Sequence, residues 1–254
     1  MRPAIIAVLA LTSGMIAAPA LAGGNDFFDD FSSRPSPLWG NEFGNWTASG
    51  GVYSAAVSSN FPNSYSSLPF EFESFVLDLD INDVADGGVW LRSEPAPGTP
   101  IGIKGVLLVT GAGNNSFYWH IVPTGDSYGP SLLPVSGLFN DGDDISLHIV
   151  VSGNTYDVYL NGSGTPATSL TTDAFTVGGI ALYDYSNQTF DNVNLDGVLA
   201  CPQDLNDDDT VGPADLAVLL GQWGACVDCA ADFDDDDTVG PADLAVLLGA
   251  WGDC

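Results

Sequence analysis

Two stretches near the C-terminus space their oxygen-bearing residues in the same way. Counting from Asp204, positions 1, 3, 5 and 12 are Asp204, Asn206, Asp208 and Asp215, and Thr210 stands at position 7. Counting from Asp232, the same positions hold Asp232, Asp234, Asp236, Thr238 and Asp243. Side-chain oxygens at 1, 3, 5 and 12 with a backbone carbonyl at 7 are what a short loop needs to wrap Ca2+, which takes six to eight hard oxygens in a flexible geometry. Magnesium demands a tighter octahedron and zinc prefers nitrogen or sulfur, so the cofactor read here is Ca2+, one ion per loop. Without a cation, Asp204, Asp207, Asp208, Asp209 and Asp215 would repel one another in one loop. Residues 201–254 are therefore expected to be largely unfolded in chelator and helical in calcium.

The elements that position these ligands come in duplicate. Residues 204–226 and 232–254 are nearly the same text at an offset of 28, and the cysteines follow it, Cys201 matching Cys229 and Cys226 matching Cys254. Pro213 and Pro241 sit where a first-turn proline is tolerated, because that amide has no helical partner. Leu216, Leu219, Leu220 and Trp223 then recur at helical spacing, as do Leu244, Leu247, Leu248 and Trp251. The two stripes are expected to pack on each other as the core of the module. Four cysteines allow three pairings, of which the matched separations favour Cys201–Cys226 and Cys229–Cys254. Residues 201–254 resemble a type I dockerin, and that resemblance implies a tether to a cohesin-like partner. Two features depart from the family: loop position 6 is Asp209 and Asp237 where glycine is usual. The residues after position 9, Pro213-Ala214 and Pro241-Ala242, carry no hydroxyl.

The chain has 254 residues, with 4 Lys and Arg against 33 Asp and Glu and a formal net charge of −29. A surface that acidic repels phosphate backbones and excludes nucleic acid as a partner. The 45% hydrophobic and 11% aromatic residues still provide a core. Arg2, the apolar run from Ala4 to Ile16 and the small residues Ala20-Leu21-Ala22 read as a signal peptide over 1–22, and no later segment is long and apolar enough to span a bilayer. The expected product is exported, extracellular or at the cell surface.

Residues 23–197 lack cysteine and show short alternating runs between turn residues, which predicts an all-β sandwich, with 198–203 as a linker to the small α-helical calcium module of 204–254. In 75–82 Phe75, Leu77, Leu79 and Ile81 share a face; in 144–151 it is Ile145, Leu147, Ile149 and Val151. Ser152-Gly153-Asn154 reads as the turn of a hairpin into Tyr156, Val158 and Leu160. The segments DGGVWLRSE (86–94), GVLLVTG (105–111), FYWHIV (117–122), GNTYDVYLNG (153–162) and YSNQTFDNVNL (185–195) resemble the concanavalin-A-like lectin/glucanase superfamily, including its laminin-G-like and 3-keto-disaccharide hydrolase-like branches. That resemblance implies a jelly-roll sandwich and a polysaccharide or surface glycan as partner; its members include lectins, glycosidases and non-catalytic adhesion modules.

By alternation, Trp90 and Arg92 oppose Val89 and Leu91, while Tyr118 and His120 oppose Phe117, Trp119 and Ile121. Trp90, Arg92, Tyr118 and His120 are thus the candidate sugar contacts: rings to stack on sugar C–H surfaces, Arg and His to bond hydroxyls. Arg92 is expected to meet either a ligand or a buried acid. A glycosidase needs two flanking carboxylates. The only acids paired at strand spacing are Glu71 with Glu73 and Asp78 with Asp80. Glu71 and Glu73 share the parity of Phe75, so either the strand breaks near Ser74 or they line a polar pocket. No Gly-x-Ser-x-Gly elbow is present. Glycan binding without catalysis, a glycoside hydrolase displayed through the dockerin-like module, and a structural surface or fibre subunit remain the three readings, in that order.

Overall fold

The computed structural model describes residues 25–111, 113, 116–199, 201–206, 210–226, 229–234 and 236–253. The proposed signal peptide, the ligand Asp208 and the cysteine Cys254 lie outside the described residues. One sheet contains β1 (Asn25–Asp29), β2 (Trp46–Ser49), β3 (Val52–Ala55), β5 (Phe72–Asn82), β10 (Ile145–Ser152), β11 (Thr155–Leu160), β12 (Thr168–Thr171) and β14 (Thr189–Leu199). Its order is β12-β11-β10-β5-β14-β3-β2, with β1 also paired to β14. The other contains β4 (Tyr65–Ser67), β6 (Gly87–Pro95), β7 (Ile103–Thr110), β8 (Phe117–Val122), β9 (Leu132–Val135) and β13 (Gly179–Asp184), in the order β4-β13-β6-β7-β8-β9. All strand pairs in both sheets are antiparallel; hairpin neighbours such as β10–β11 and β6–β7 alternate with pairs distant in sequence such as β5–β14 and β6–β13, as in an antiparallel sandwich.

The alternating residues predicted to face inward do so. Phe75, Leu77, Leu79 and Ile81 of β5 and Leu147, Ile149 and Val151 of β10 meet Val89, Leu91, Val106, Leu108, Phe117 and Trp119 of the second sheet in one core. The Trp119 indole N–H reaches across to Thr168 Oγ1 at 3.0 Å, satisfying a polar group that the core would otherwise strand. The β10–β11 hairpin closes with Ser152 opposite Thr155 and Gly153 at φ 55, as its turn residues predict. In β5 the alternation slips once, with Phe72 buried, Glu73 exposed and Phe75 buried again. The slip lies opposite a register shift at Val198/Leu199. The strand therefore breaks phase near Ser74, and Glu71 and Glu73 both point to solvent.

In the C-terminal segment, α1 (Pro213–Gly221) and α2 (Pro241–Gly249) each start on a glycine N-cap with proline in the first turn. Four two-residue strands tie the copies crosswise. β15 (Thr210–Val211), before α1, pairs with β18 (Gly252–Asp253), after α2; β16 (Gly224–Ala225), after α1, pairs with β17 (Thr238–Val239), before α2. The core is Val211, Leu219, Ala231, Val239 and Leu247. The expected apolar stripes are only half used. Leu219 and Leu247 are buried, but Leu220, Trp223, Leu248 and Trp251 are about half exposed. For the tryptophans the reason is length, since each helix ends after nine residues and they fall beyond it; Leu220 and Leu248 lie within the helices but outside the buried core. The favoured cysteine pairing is also overturned. Cys226 is bonded to Cys229, three positions on in the sequence, with their Cα atoms 5.7 Å apart. Cys201 is disulfide-bonded as well.

Candidate functional site

The six-stranded sheet has a second apolar face, turned away from the main core. Trp90 of β6, Ile103, Leu107 and Val109 of β7, Ala181 and Tyr183 of β13 and Tyr65 of β4 lie there, with Ile101 and Tyr128 from the loops packed over them. Register sets the rows. Tyr183, Gly88, Val109 and Tyr118 lie side by side across four strands, and Ala181, Trp90, Leu107 and His120 form the next row. Gly88, with no side chain, leaves a gap beside Tyr183 in the first row. At φ 151 a Cβ there would run into the Leu108 carbonyl, so only glycine fits where the two strands come this close.

Over that gap lies a shallow cleft of about 60 Å³ lined by Asn60, Asp86, Leu107, Val109, Tyr118, His120, Tyr128 and Tyr183. It is too small to enclose a sugar ring, so a saccharide would lie across it rather than inside. A hydrogen-bonded chain fixes the walls: the Trp90 indole donates to Asn63 Oδ1 at 2.9 Å, Asn63 donates to the Tyr128 hydroxyl, and Tyr128 and Tyr183 donate to Asn60 Oδ1 at 2.5 and 3.1 Å. Asp86 enters from the loop before β6, which Gln188 braces by accepting from the Ala85 amide and the Thr110 hydroxyl, both at 3.2 Å. Desolvation, then the Asp141 carboxylate, pushes the Asp86 carboxyl up to about 6. No described residue donates a hydrogen bond to that carboxylate.

His120 is half-buried, and desolvation lowers its pKa. Its Nδ1 lies 3.1 Å from the Pro130 carbonyl, which accepts only, so the ring donates there, and the Tyr128 carbonyl is a second backbone acceptor beside it. Tyr118 is pushed up to about 12, first by desolvation and then by Asp86, and stays a protonated donor. The cleft thus offers one carboxylate, an imidazole, an amide, tyrosine hydroxyls and ring surfaces.

Of the four sugar contacts expected from sequence, the structure brings Tyr118 and His120 together in this cleft. Trp90 lies beneath them on the same face, fully buried and stacked under Tyr128 at 6.5 Å. It is a floor and does not reach the surface. Arg92 is elsewhere. It adopts φ 45 where β6 slips against β7, and this turns its side chain into the sandwich. There it donates to the carbonyls of Phe175 at 2.8 Å and Gly153 at 2.7 Å, to the Glu73 carbonyl and to the Tyr156 hydroxyl at 3.3 Å. Its partner is therefore neither a ligand nor a buried acid; it joins the two sheets. Gly178 makes room for this bulge, since a Cβ there would meet the Arg92 backbone. Asp86, Asn60, Tyr128 and Tyr183 were not singled out from sequence. Asp86 heads the quoted segment DGGVWLRSE, and its Asp-Gly-Gly turn is the only local signal.

The acid pairs weighed for catalysis are not in the cleft. Asp78 accepts from or pairs with His148 Nδ1 at 2.7 Å on the outer face of the larger sheet, and Asp80 accepts from Ser146 and Asn192 there. In the C-terminal segment, carboxylate oxygens of Asp232, Asp234 and Asp236 lie within 4.8 Å of one another. That all-oxygen donor set fits a hard cation such as calcium. Asp237 at position 6 takes φ 63, the left-handed turn the loop needs. The position-12 acids are buried. Asp243 accepts from the amides of Phe233 and Gly240, both at 2.7 Å; Asp215 accepts from Leu205 and Gly212 at 2.7 Å and Asn206 at 3.2 Å. The Gly240 amide foremost holds the Asp243 carboxyl below the ordinary range. Asp204, Asn206 and Thr210 belong to the first loop, whose Asp208 is not among the described residues.

These features define a class: an antiparallel β-sandwich with a shallow aromatic cleft on the outer face of one sheet, followed by a duplicated loop–helix segment. Among solved structures, the chain is similar to a carbohydrate-binding module, CBM66, from Bacillus subtilis, at 14% identity over 64% of this chain and 93% of that one, with a TM-score of 0.47. It is also similar to the exoplasmic/lumenal domain of VIP36 in its Ca2+/Man2-bound form, at 11% identity over 72% and 92%, TM-score 0.49. A glycosyl hydrolase candidate from Parabacteroides distasonis follows at 17% identity over 60% and 90%, TM-score 0.42. All three TM-scores lie below 0.5, so the sandwich assignment rests on the chain's own two sheets. No protein-family model matches the chain, and no curated protein does. Among the described residues no helix is long and apolar enough to cross a membrane.

Proposed function

We propose that this is an exported, calcium-binding protein whose sandwich binds an extracellular glycan in the Asp86–Tyr118–His120 cleft. Its dockerin-like C-terminal segment then tethers it to a partner protein of the cohesin kind. The observation that carries the glycan reading is the cleft itself: a half-buried carboxylate with no donor among the described residues, beside the rings of His120 and Tyr118 and two further tyrosines, Tyr128 and Tyr183, held by one hydrogen-bond network. Vicinal hydroxyls supply the donors Asp86 lacks, and sugar C–H faces suit the rings. The tether and the two calcium sites are supported by ligand spacing met twice, by the converged Asp232, Asp234 and Asp236, and by the left-handed Asp237. Export is supported by the N-terminal pattern of residues 1–22.

The test is affinity electrophoresis of mature protein in calcium through gels containing soluble glucans, mannans, xylans or fructans, with products followed by mass spectrometry. Retardation by at least one polysaccharide, lost in the Tyr118→Ala/His120→Ala double variant, is the expected result. No retardation of a folded protein by any of them overturns the glycan reading. Release of oligosaccharides makes the protein a hydrolase instead.

A further inference from the structure

The aromatic surface does not stop at the cleft. Phe61, in the loop that also carries Asn60, is 59% exposed and packs edge-on against Tyr128 with ring centroids 5.5 Å apart. Tyr128 lies 5.2 Å from His120, and His120 5.3 Å from Tyr118, so four rings follow one another across the face. An exposed phenylalanine normally loses little by shifting, but the loop under this one is fixed. Asn60 is bonded to Tyr128 and Tyr183, the Asn63 amide donates to the Ile101 carbonyl at 2.8 Å, and the Ser64 amide to the Ser59 carbonyl at 2.9 Å. A large apolar ring held in water on a rigid loop beside a polar cleft is an available stacking surface.

The charges around it are one-sided. The chain beyond residue 22 has three basic residues, Arg34, Arg92 and Lys104. Arg92 is buried between the sheets, Lys104 pairs with Glu94, and Arg34 borders a separate depression with Phe28 and Asp30. Among the described residues no cation lines the cleft, and its one charged group is Asp86. An anionic sugar would meet that carboxylate in a partly desolvated place with nothing to offset it.

Resting on the glycan reading above, we propose that the cleft is the inner end of a longer site for an uncharged glycan chain of two or more sugar residues. One residue bonds at Asp86, Tyr118 and His120, and the next stacks on Phe61. The experiment is titration calorimetry of full-length protein in calcium with the series glucose, cellobiose, cellotetraose; mannose, mannobiose, mannotetraose; xylose, xylobiose, xylotetraose; and fructose, inulobiose and nystose, plus tetragalacturonate. In the series that binds, affinity should rise about tenfold or more from one sugar to two or four. Phe61→Ala should abolish the rise while leaving monosaccharide affinity unchanged, and Phe61→Trp should keep it. Tetragalacturonate should not bind. Equal affinity along the series, or a rise that survives Phe61→Ala, overturns the second subsite while leaving the cleft reading intact. Binding of tetragalacturonate overturns the restriction to uncharged chains. If no neutral sugar binds the folded wild type, the cleft reading fails and this proposal with it.

Discussion

Asp86 and Asp184 both have carboxyl pKa values pushed up to about 6, chiefly by desolvation, yet they do different things. Asp86 faces the hydroxyls of Tyr118, Tyr128 and Tyr183, the His120 ring and, further out, Asp141. A ligand hydroxyl donated to its carboxylate favours the ionised form. Glycan affinity is therefore expected to increase as pH rises through about 6 and to level off above it, in calorimetry from pH 5 to 8. Desolvation holds His120 below its ordinary value, which favours the neutral ring toward the upper end of that range. Asp86→Asn should flatten the profile and weaken binding about tenfold at pH 7.5. Asp184 is fully buried; its Oδ1 accepts from the Ser186 and Asn187 amides at 3.1 and 2.8 Å, while Oδ2 has no partner. An acid with a raised folded pKa contributes stability that is whole below its unfolded pKa near 4 and is lost as pH climbs through about 6. Asp184→Asn keeps an oxygen for both amides and removes the charge. It should raise stability at pH 8 by about 1 kcal/mol in urea unfolding, and reduce the fall in stability between pH 4 and 6. Arg92 acts through geometry: replacing it by Met strands the carbonyls of Glu73, Gly153 and Phe175, and a loss of about 3 kcal/mol in the same assay is expected.

At the scale of elements, strands were legible where one face is wet. The alternation of β5, β10 and β11 predicted which residues enter the core, and the turn at Gly153 predicted the hairpin. The six-stranded sheet is apolar on both faces, so alternation in β6 and β7 carries little information, and the loop residues that complete the cleft come from distant parts of the chain. Tyr118 and His120 were readable because β8 alternates; Asn60 and Tyr128 were not, because only packing brings them to Asp86. Arg92 misled because a left-handed residue inside a strand reverses its facing, and nothing local announces one at an arginine. In the C-terminal segment the ligand spacing was plain, whereas the short helices left both tryptophans beyond their ends, and Leu220 and Leu248 stayed outside the core. With so little buried, that segment should lose its helix on adding EDTA and regain it with calcium, followed by circular dichroism of residues 201–254. Asp234→Ala/Asp236→Ala should shift the calcium midpoint upward at least tenfold. A helix signal indifferent to both would remove calcium as the organiser.

Taken whole, the molecule combines a net charge of −29 with a cleft for which we propose an uncharged ligand. Glycan affinity should therefore change less than about twofold between roughly 20 mM and 500 mM NaCl, since screening acts on charge pairs and a neutral ligand brings none. A steep salt dependence would point to a charged ligand. In the C-terminal segment the ribbons run from one copy to the other: the strand preceding each helix finds its partner only behind the other helix. A lone copy would leave both of its strands open. Paired in this way, a single unit would close its edges only against a second such unit, and the tandem arrangement keeps that second unit within the same chain.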